Sequence, residues 1–276
     1  MSAFLPTSKK EIDALGWDYI DIILFSGDAY IDHPSFGIAV IGRILEREGY
    51  RVAIVPQPNW RDDLRDFKKL GRPRLFFGVS AGAMDSMVNH YTANKRLRSD
   101  DAYTPDGKSS FRPDYAVSVY SNILKDIYPD VPVVIGGIEA SLRRLTHYDY
   151  WQDKLLPSVL VNSKADYLVY GMGERPIVEL ARAIDEGASE YHIHKIPQIG
   201  YLAPKGKTDK TDTIFLHSYE ECIDSKRAFV ENFNIIEREA NKMYPLRLVE
   251  SYANNDVVIN PPFPPATEDE MDSFFD

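Results

Sequence analysis

One cysteine, Cys222, occurs in 276 residues. A single thiol excludes a disulfide within the chain, a cysteine zinc site and a self-contained iron–sulfur cluster, all of which need several thiolates. Basic residues are also in the minority. The 32 Lys and Arg against 42 Asp and Glu leave a net charge of −10, which argues against a general nucleic-acid binder. A local basic cluster remains at Lys95, Arg96 and Arg98. No apolar run approaches membrane-spanning length, and no basic-plus-apolar leader opens the sequence. The expectation is a soluble, cytoplasmic protein with no membrane partner. The first apolar strand is not followed by G-x-G-x-x-G, so the dinucleotide fingerprint is missing too.

What the sequence does have is a series of short apolar runs, each ending in small residues that open a helical pattern. Residues 19–25, 51–55, 75–79, 131–135 and 166–170 read as five strands, the first nearly all apolar, as in a strand buried on both faces of a parallel sheet. The third ends at Ser80-Ala81-Gly82, the fourth at Gly136-Gly137 and the fifth at Gly171-Met172-Gly173-Glu174. Strands alternating with helices predict an α/β fold with a doubly wound, mainly parallel sheet over residues 1–190. Turns of this kind then share one edge, where open α/β sheets bind ligands.

Residues 84–113 have little apolar periodicity and read as a lid, a binding loop or a disordered segment. Beyond Tyr191 the pattern changes to a small α+β appendage, residues 191–260. It is expected to hold extended stretches at 196–202, 213–216 and 257–259, and one helix over 219–243 with Phe229, Phe233 and Ile236 on its apolar face. Pro261-Pro262-Phe263-Pro264-Pro265 reads as a stiff linker. Residues 261–276 then lead towards a further domain that this sequence does not contain.

The candidate residues each carry two readings. Asp32 and His33, after the first strand, suit a metal ligand or general base with its orienting carboxylate, or an Asx turn capping a helix that starts near Pro34. Ser80, Gly82, Gly136, Gly137, Gly171 and Gly173 suit a floor for a flat cofactor, or tight strand-to-helix packing. Glu174 suits a ligand contact, or a carboxylate stabilised by the dipole of its own helix. Arg143, Arg144, His147, Tyr148 and Trp151 form the densest polar–aromatic cluster. They suit substrate or interface contacts, as does Arg96, or an ion-paired helix face with its rings tucked inward. His192 and His194 alternate as on a strand, without a third ligand at metal spacing. Cys222 reads as a buried, inert thiol.

Together these segments resemble the N-terminal region of YgiQ-type radical SAM proteins. The resemblance runs through Ser26-Gly27-Asp28-Ala29-Tyr30-Ile31-Asp32-His33-Pro34, Gly78-Val79-Ser80-Ala81-Gly82 and Asn94-Lys95-Arg96. It continues in Gly136-Gly137-Ile138-Glu139-Ala140-Ser141-Leu142-Arg143-Arg144, His147-Tyr148-Asp149-Tyr150-Trp151 and Tyr170-Gly171-Met172-Gly173-Glu174. In that family a barrel with a CxxxCxxC motif follows a proline-rich join. The resemblance therefore implies a [4Fe-4S] cluster and S-adenosylmethionine in the full-length protein, the barrel as partner, and no catalysis by these residues alone. More distantly, the segment is similar to Rossmann-like cobalamin-binding domains, which have a Gly-Gly turn and a G-x-G-E turn on successive strands. Cobalamin is the cofactor this implies, on Asp32, His33, Ser80, Gly82, Gly136, Gly137, Gly171, Gly173 and Glu174. The D-x-H-x-x-G spacing of the cobalt-ligating form is broken here, because Asp32 and His33 are adjacent. The rival readings are a cofactor-free recognition module and an independent enzyme acting on a nucleotide or sugar phosphate. No substrate is named by the sequence.

Overall fold

The computed structural model describes residues 4–275. Its strands are β1 (Ile22–Ser26), β2 (Val52–Pro56), β3 (Phe76–Ser80), β4 (Val133–Gly136), β5 (His147–Asp149), β6 (Lys154–Leu156), β7 (Tyr167–Val169), β8 (Ile199–Pro204), β9 (Thr213–Phe215), β10 (Arg247–Tyr252) and β11 (Asn255–Ile259). Nine of them form one sheet in the order β2-β1-β3-β4-β7-β8-β11-β10-β9, and β5 and β6 pair as a separate hairpin. From β2 to β7 every pair is parallel, whereas β8 joins β7 antiparallel, with Leu168 opposite Gly200. The sheet is an α/β fold, mainly parallel, as the alternation of strands and helices predicts.

The uninterrupted apolar strands follow from burial on both faces. In β1, Ile23 and Phe25 enter one core and Ile22 and Leu24 the other. Helix Ala116–Ile127 covers the first core with Val117, Tyr120 and Leu124. Helices Gly37–Arg47 and Glu174–Asp185 cover the second with Leu45 and Leu180. Each such fully buried side chain stabilises the fold by about 1.5–3 kcal/mol. Both cores continue into the C-terminal strands, through Leu248, Val257 and Ile259 on one face and Tyr201, Val249 and Val258 on the other. Residues 191–260 therefore extend the sheet that the first half begins. Among the described residues no helix is long and apolar enough to cross a membrane.

Several local expectations change. The helix expected over 219–243 is two, Tyr219–Asp224 and Lys226–Ala240. Ser225 between them is extended, and its side chain accepts the Ala228 N–H to cap the second helix. Phe233 is 54% exposed, and the buried stripe of that helix is Ala228, Asn232 and Glu239. His192 lies in a helical turn, Glu190–Ile193, and not on a strand. Asp32 caps no helix: Phe36 precedes the helix that begins at Gly37, and Asp32 pairs with Arg43. The proline segment does not project outwards. Arg175 donates to Pro264 O and pairs with Glu270, and Arg47 donates to Ser273 O, so the tail folds back along the helices.

Candidate functional site

Strand order reverses between β1 and β3, since the chain runs from β1 outward to β2 and then returns to the other side of β1. Such a switch point opens a crevice beyond the strand ends. A cavity of about 420 Å³ lies there, lined by Ser26 and Asp28 after β1, Ser80 and Gly82 after β3, Gly136 and Gly137 after β4, and residues 171–174 after β7. The start of helix Gly37–Arg47 and the tail residue Phe275 complete it. Glycine and serine turns predicted to share an edge do share it. Among the described residues the lining contains two carboxyls, Asp28 and Glu174, and no Lys, Arg or His.

The glycines divide between the two readings. Gly82 has φ +108°, and a Cβ there would fall 2.1 Å from Asp28 Oδ1. Gly137 has φ +80°, and its Cβ would fall 2.9 Å from Ser80 Oγ. These two are required by packing of loop on loop. Gly136, Gly171 and Gly173 face more space, where an added Cβ would meet nothing closer than 3.3 Å. The turn after β7 is held from behind. Gln198 Nε2 donates to Tyr170 O and Met172 O at 2.7 and 2.6 Å, and Ser141 Oγ accepts from Gly171 N at 3.1 Å. Glu174 opens helix Glu174–Asp185, and its Oε2 is buried without a hydrogen-bond partner.

Asp28, in the cavity lining, belongs to a charged triad removed from water. Arg112 is 0% exposed, Asp28 1% and Asp101 2%. Arg112 Nη2 lies 2.8 Å from Asp28 Oδ1 and 3.0 Å from Asp101 Oδ2, and Nη1 donates to Ala81 O at 3.0 Å. Burial pushes the Asp28 carboxyl up, and the Asp101 charge adds to this against the pull of Arg112. Burial acts the same way on Asp101, but the Tyr103 N–H and Arg112 outweigh it and hold that carboxyl low. The pair therefore titrates asymmetrically, with Asp28 losing its proton at higher pH than Asp101.

The same triad pins residues 84–113, which the sequence suggests as a lid, a binding loop or a disordered segment. A second ion cluster does so too. Asp85 caps helix Ser86–His90 and pairs with Arg143, while Glu139 accepts from Ser86 N at 2.8 Å and Val117 N at 3.0 Å. Arg143 is thus occupied by Asp85 and by Glu139 at 3.8 Å. Asp28 lies at the carboxyl end of the first strand, a usual place for function, whereas Arg112, Glu139 and Gln198 have no role expected from sequence. Asp28 and Glu139 stand just after strand-end glycines; Arg112 and Gln198 carry no local signal.

The remaining candidates do not join the cavity. His33 is exposed, its Nδ1 accepting from Ser35 N at 3.1 Å, and neither it nor Asp32 lines the space. Arg96 is exposed. Arg144 turns over the Tyr170 ring, 5.3 Å from its centroid. His147 places Nδ1 3.1 Å from Leu145 O, and burial lowers its pKa, so the ring is neutral. With Asp114, Tyr115, Arg143 and Gln152 it lines a second cavity of about 370 Å³. Tyr148 is exposed and donates to Asp153 at 2.5 Å, and Trp151 packs against Tyr91 and Tyr150. Among the described residues no three His, Cys, Asp or Glu side chains are grouped to hold a metal ion.

The fold is thus an open α/β sheet with a glycine-rimmed crevice at its switch point, the place where sheets of this class commonly bind ligands. The chain belongs to the Radical SAM N-terminal family, whose profile matches residues 4–276. It is 62% identical over 278 residues to a UPF0313 protein of Porphyromonas gingivalis, covering 100% of this chain and 44% of that protein. Against a UPF0313 protein of Geobacter sulfurreducens the identity is 47%, covering 99% and 45%. The chain thus spans under half the length of the curated relatives it matches. A solved structure of the radical S-adenosylmethionine methyltransferase TsrM from Kitasatospora setae, with cobalamin and a [4Fe-4S] cluster bound, aligns with TM-score 0.44 and 22% identity, over 66% of this chain and 27% of TsrM.

Proposed function

We propose that this chain is the ligand-holding N-terminal part of a radical SAM enzyme, with the crevice between β1 and β3 as its cofactor or substrate pocket. The observation that carries the reading is the cavity at the switch point of a chain that belongs to this family and spans under half of its relatives. In this reading residues 1–190 form the pocket, residues 191–260 widen the sheet, and residues 261–276 lead to a catalytic barrel that acts as partner and that the pocket edge covers. The [4Fe-4S] cluster and S-adenosylmethionine belong to that barrel. Cys222 cannot contribute, since it is buried and its thiol is pushed up to about 11 by burial and by the nearby Glu250 and Glu221.

Cobalamin is the cofactor proposed for this edge. Gly136, Gly171 and Gly173, where an added Cβ would meet nothing closer than 3.3 Å, are the residues that would hold it. Bound there it would supply an alkyl-carrying centre. Among the described residues no histidine lines the cavity, so no imidazole there would ligate the metal. The rival phosphate-enzyme reading is disfavoured by the same lining, which offers an anion two carboxyls and no cation. The recognition-module reading draws support from Gly82 and Gly137, which packing alone explains.

Titration with hydroxocobalamin, S-adenosylmethionine and adenosine 5′-phosphate tests the proposal by absorbance and thermal shift. A ligand at 100 times its Kd should add about 2.7 kcal/mol of stability. Stabilisation by either of the first two supports the reading, and stabilisation by the nucleotide alone overturns it.

A further inference from the structure

Three arginines withdraw from water in the polar core beside the glycine edge, and two of them are neutralised. Arg112 carries Asp28 and Asp101, and Arg143 carries Asp85 and Glu139. Arg144 carries none: among the described residues its side-chain contacts are one hydrogen bond, Nη1 to Ser141 O at 2.7 Å, and the Tyr170 ring. It is half-buried, and burial depresses its hold on its proton. Glu237, on an exposed face of helix Lys226–Ala240, is near enough to be felt but outside pairing distance.

A bland explanation is that Arg144 merely caps the helix Gly137–Leu142. That helix has six residues and its capping uses one of five N–H donors. Nε–H and the Nη2 group are left over, on the edge that matches a planar or tetrahedral oxyanion. The side chain is also set in place beforehand. Ser158 Oγ donates to Arg144 O at 2.8 Å and Val159 N to Arg143 O at 2.8 Å, which fixes the backbone on both sides. The Tyr170 ring under the guanidinium is anchored in turn by its hydroxyl to Asn260 O at 2.6 Å. A partly desolvated charge without a counter-ion is unfavourable unless something completes it.

We propose that Arg144 is the seat of an oxyanion, a carboxylate or a phosphate monoester, received by its Nε–H and Nη2 edge beside Tyr170. This site lies outside the crevice and does not depend on the crevice's ligand. The test is NMR of the chain labelled with 15N-arginine, with the Arg144 Nε–H signal assigned through Arg144→Lys. Sodium phosphate and sodium acetate are titrated against sodium chloride at matched ionic strength. The expected result is a saturable shift of Arg144 alone, with Arg112 and Arg143 still. Saturation by phosphate at lower concentration than acetate identifies a phosphate ester as the natural group, and the reverse order a carboxylate. A response no different from that to chloride overturns the proposal.

A stability arm separates this from a purely structural role. Arg144→Met should leave Tm unchanged or raise it, whereas Arg143→Met should lower it, because the latter strands Asp85 and Glu139. A fall of Tm in Arg144→Met as large as in Arg143→Met means that the charge is already paired within the fold, and overturns the proposal. So does a Glu237→Gln variant that reproduces the Arg144→Met change in Tm and abolishes the phosphate response.

Discussion

Replacing Arg112 by methionine keeps the aliphatic stem and removes the charge that two buried carboxyls share. At neutral pH this leaves Asp28 and Asp101, 1% and 2% exposed, without their cation. Breaking a buried ion pair from one side destabilises by about 3–5 kcal/mol, and at about 2–4 °C per kcal/mol Tm should fall on the order of 10 °C. The pH dependence is the sharper part. Asp28 already has a folded-state pKa above its unfolded value, so the stability linked to it is present below the unfolded pKa and is lost as pH rises through the folded one. Without Arg112 that loss deepens and Asp101 joins it, since its low pKa rests partly on the guanidinium. The deficit of Arg112→Met should therefore grow as pH rises and shrink as pH falls and Asp28 takes up its proton. Urea denaturation of both proteins at several pH values measures this directly. A deficit under about 1 kcal/mol, constant across those pH values, would refute the reasoning and place the triad in contact with water.

Gly137→Leu should destabilise by several kcal/mol on the order of a strained backbone plus a core clash, given φ +80° and the 2.9 Å approach to Ser80 Oγ. Gly173→Ala, at φ −81°, should cost under about 1 kcal/mol and so probes ligand binding cleanly. Thermal melts and cobalamin or S-adenosylmethionine titration of both variants check the contrast. Glu174→Gln should leave Tm in place but weaken a donor-bearing crevice ligand roughly tenfold or more, read by isothermal calorimetry. Glu250 accepts from Thr146 N and Oγ1 at 2.8 Å each, and burial raises its pKa to about 7. Its contribution to stability is present below its unfolded pKa of about 4.3 and is lost as pH rises through about 7, so Glu250→Gln should flatten the stability profile between those values.

The parallel strands were legible because burial on both faces leaves a simple signature, a short apolar run closed by Ser or Gly. The shared edge of Ser80, Gly137 and Gly173 followed from the same parallel order. Other features were not legible, for physical reasons. Glu139 and Asp28 look like solvated carboxylates in sequence, and only their arginine partners, Arg143 and Arg112, found 4 and 84 positions further on, make burial tolerable. Arg247–Tyr252 breaks the apolar pattern with Glu250, which is 1% exposed and tolerated through its hydrogen bonds to Thr146, a partner 104 positions away. The break at Ser225 turns on a capping bond, which helical periodicity does not register. His33 sits on the expected loop, but its side chain faces solvent and serves only that loop.

Gln198 gives the crevice a mechanical connection. Its amide nitrogen fastens the turn after β7 through Tyr170 O and Met172 O, its side-chain oxygen accepts from Phe263 N at 3.2 Å, and its own N–H reaches Pro261 O at 2.8 Å. One residue therefore grips the Gly171–Gly173 rim with one hand and the proline segment with the other. Displacing residues 261–263 must drag the rim or break these bonds. Where the rim's position affects a ligand's affinity, linkage requires the converse with equal free energy. Filling the crevice would then bias where the proline segment points, and with it the orientation of whatever that segment carries.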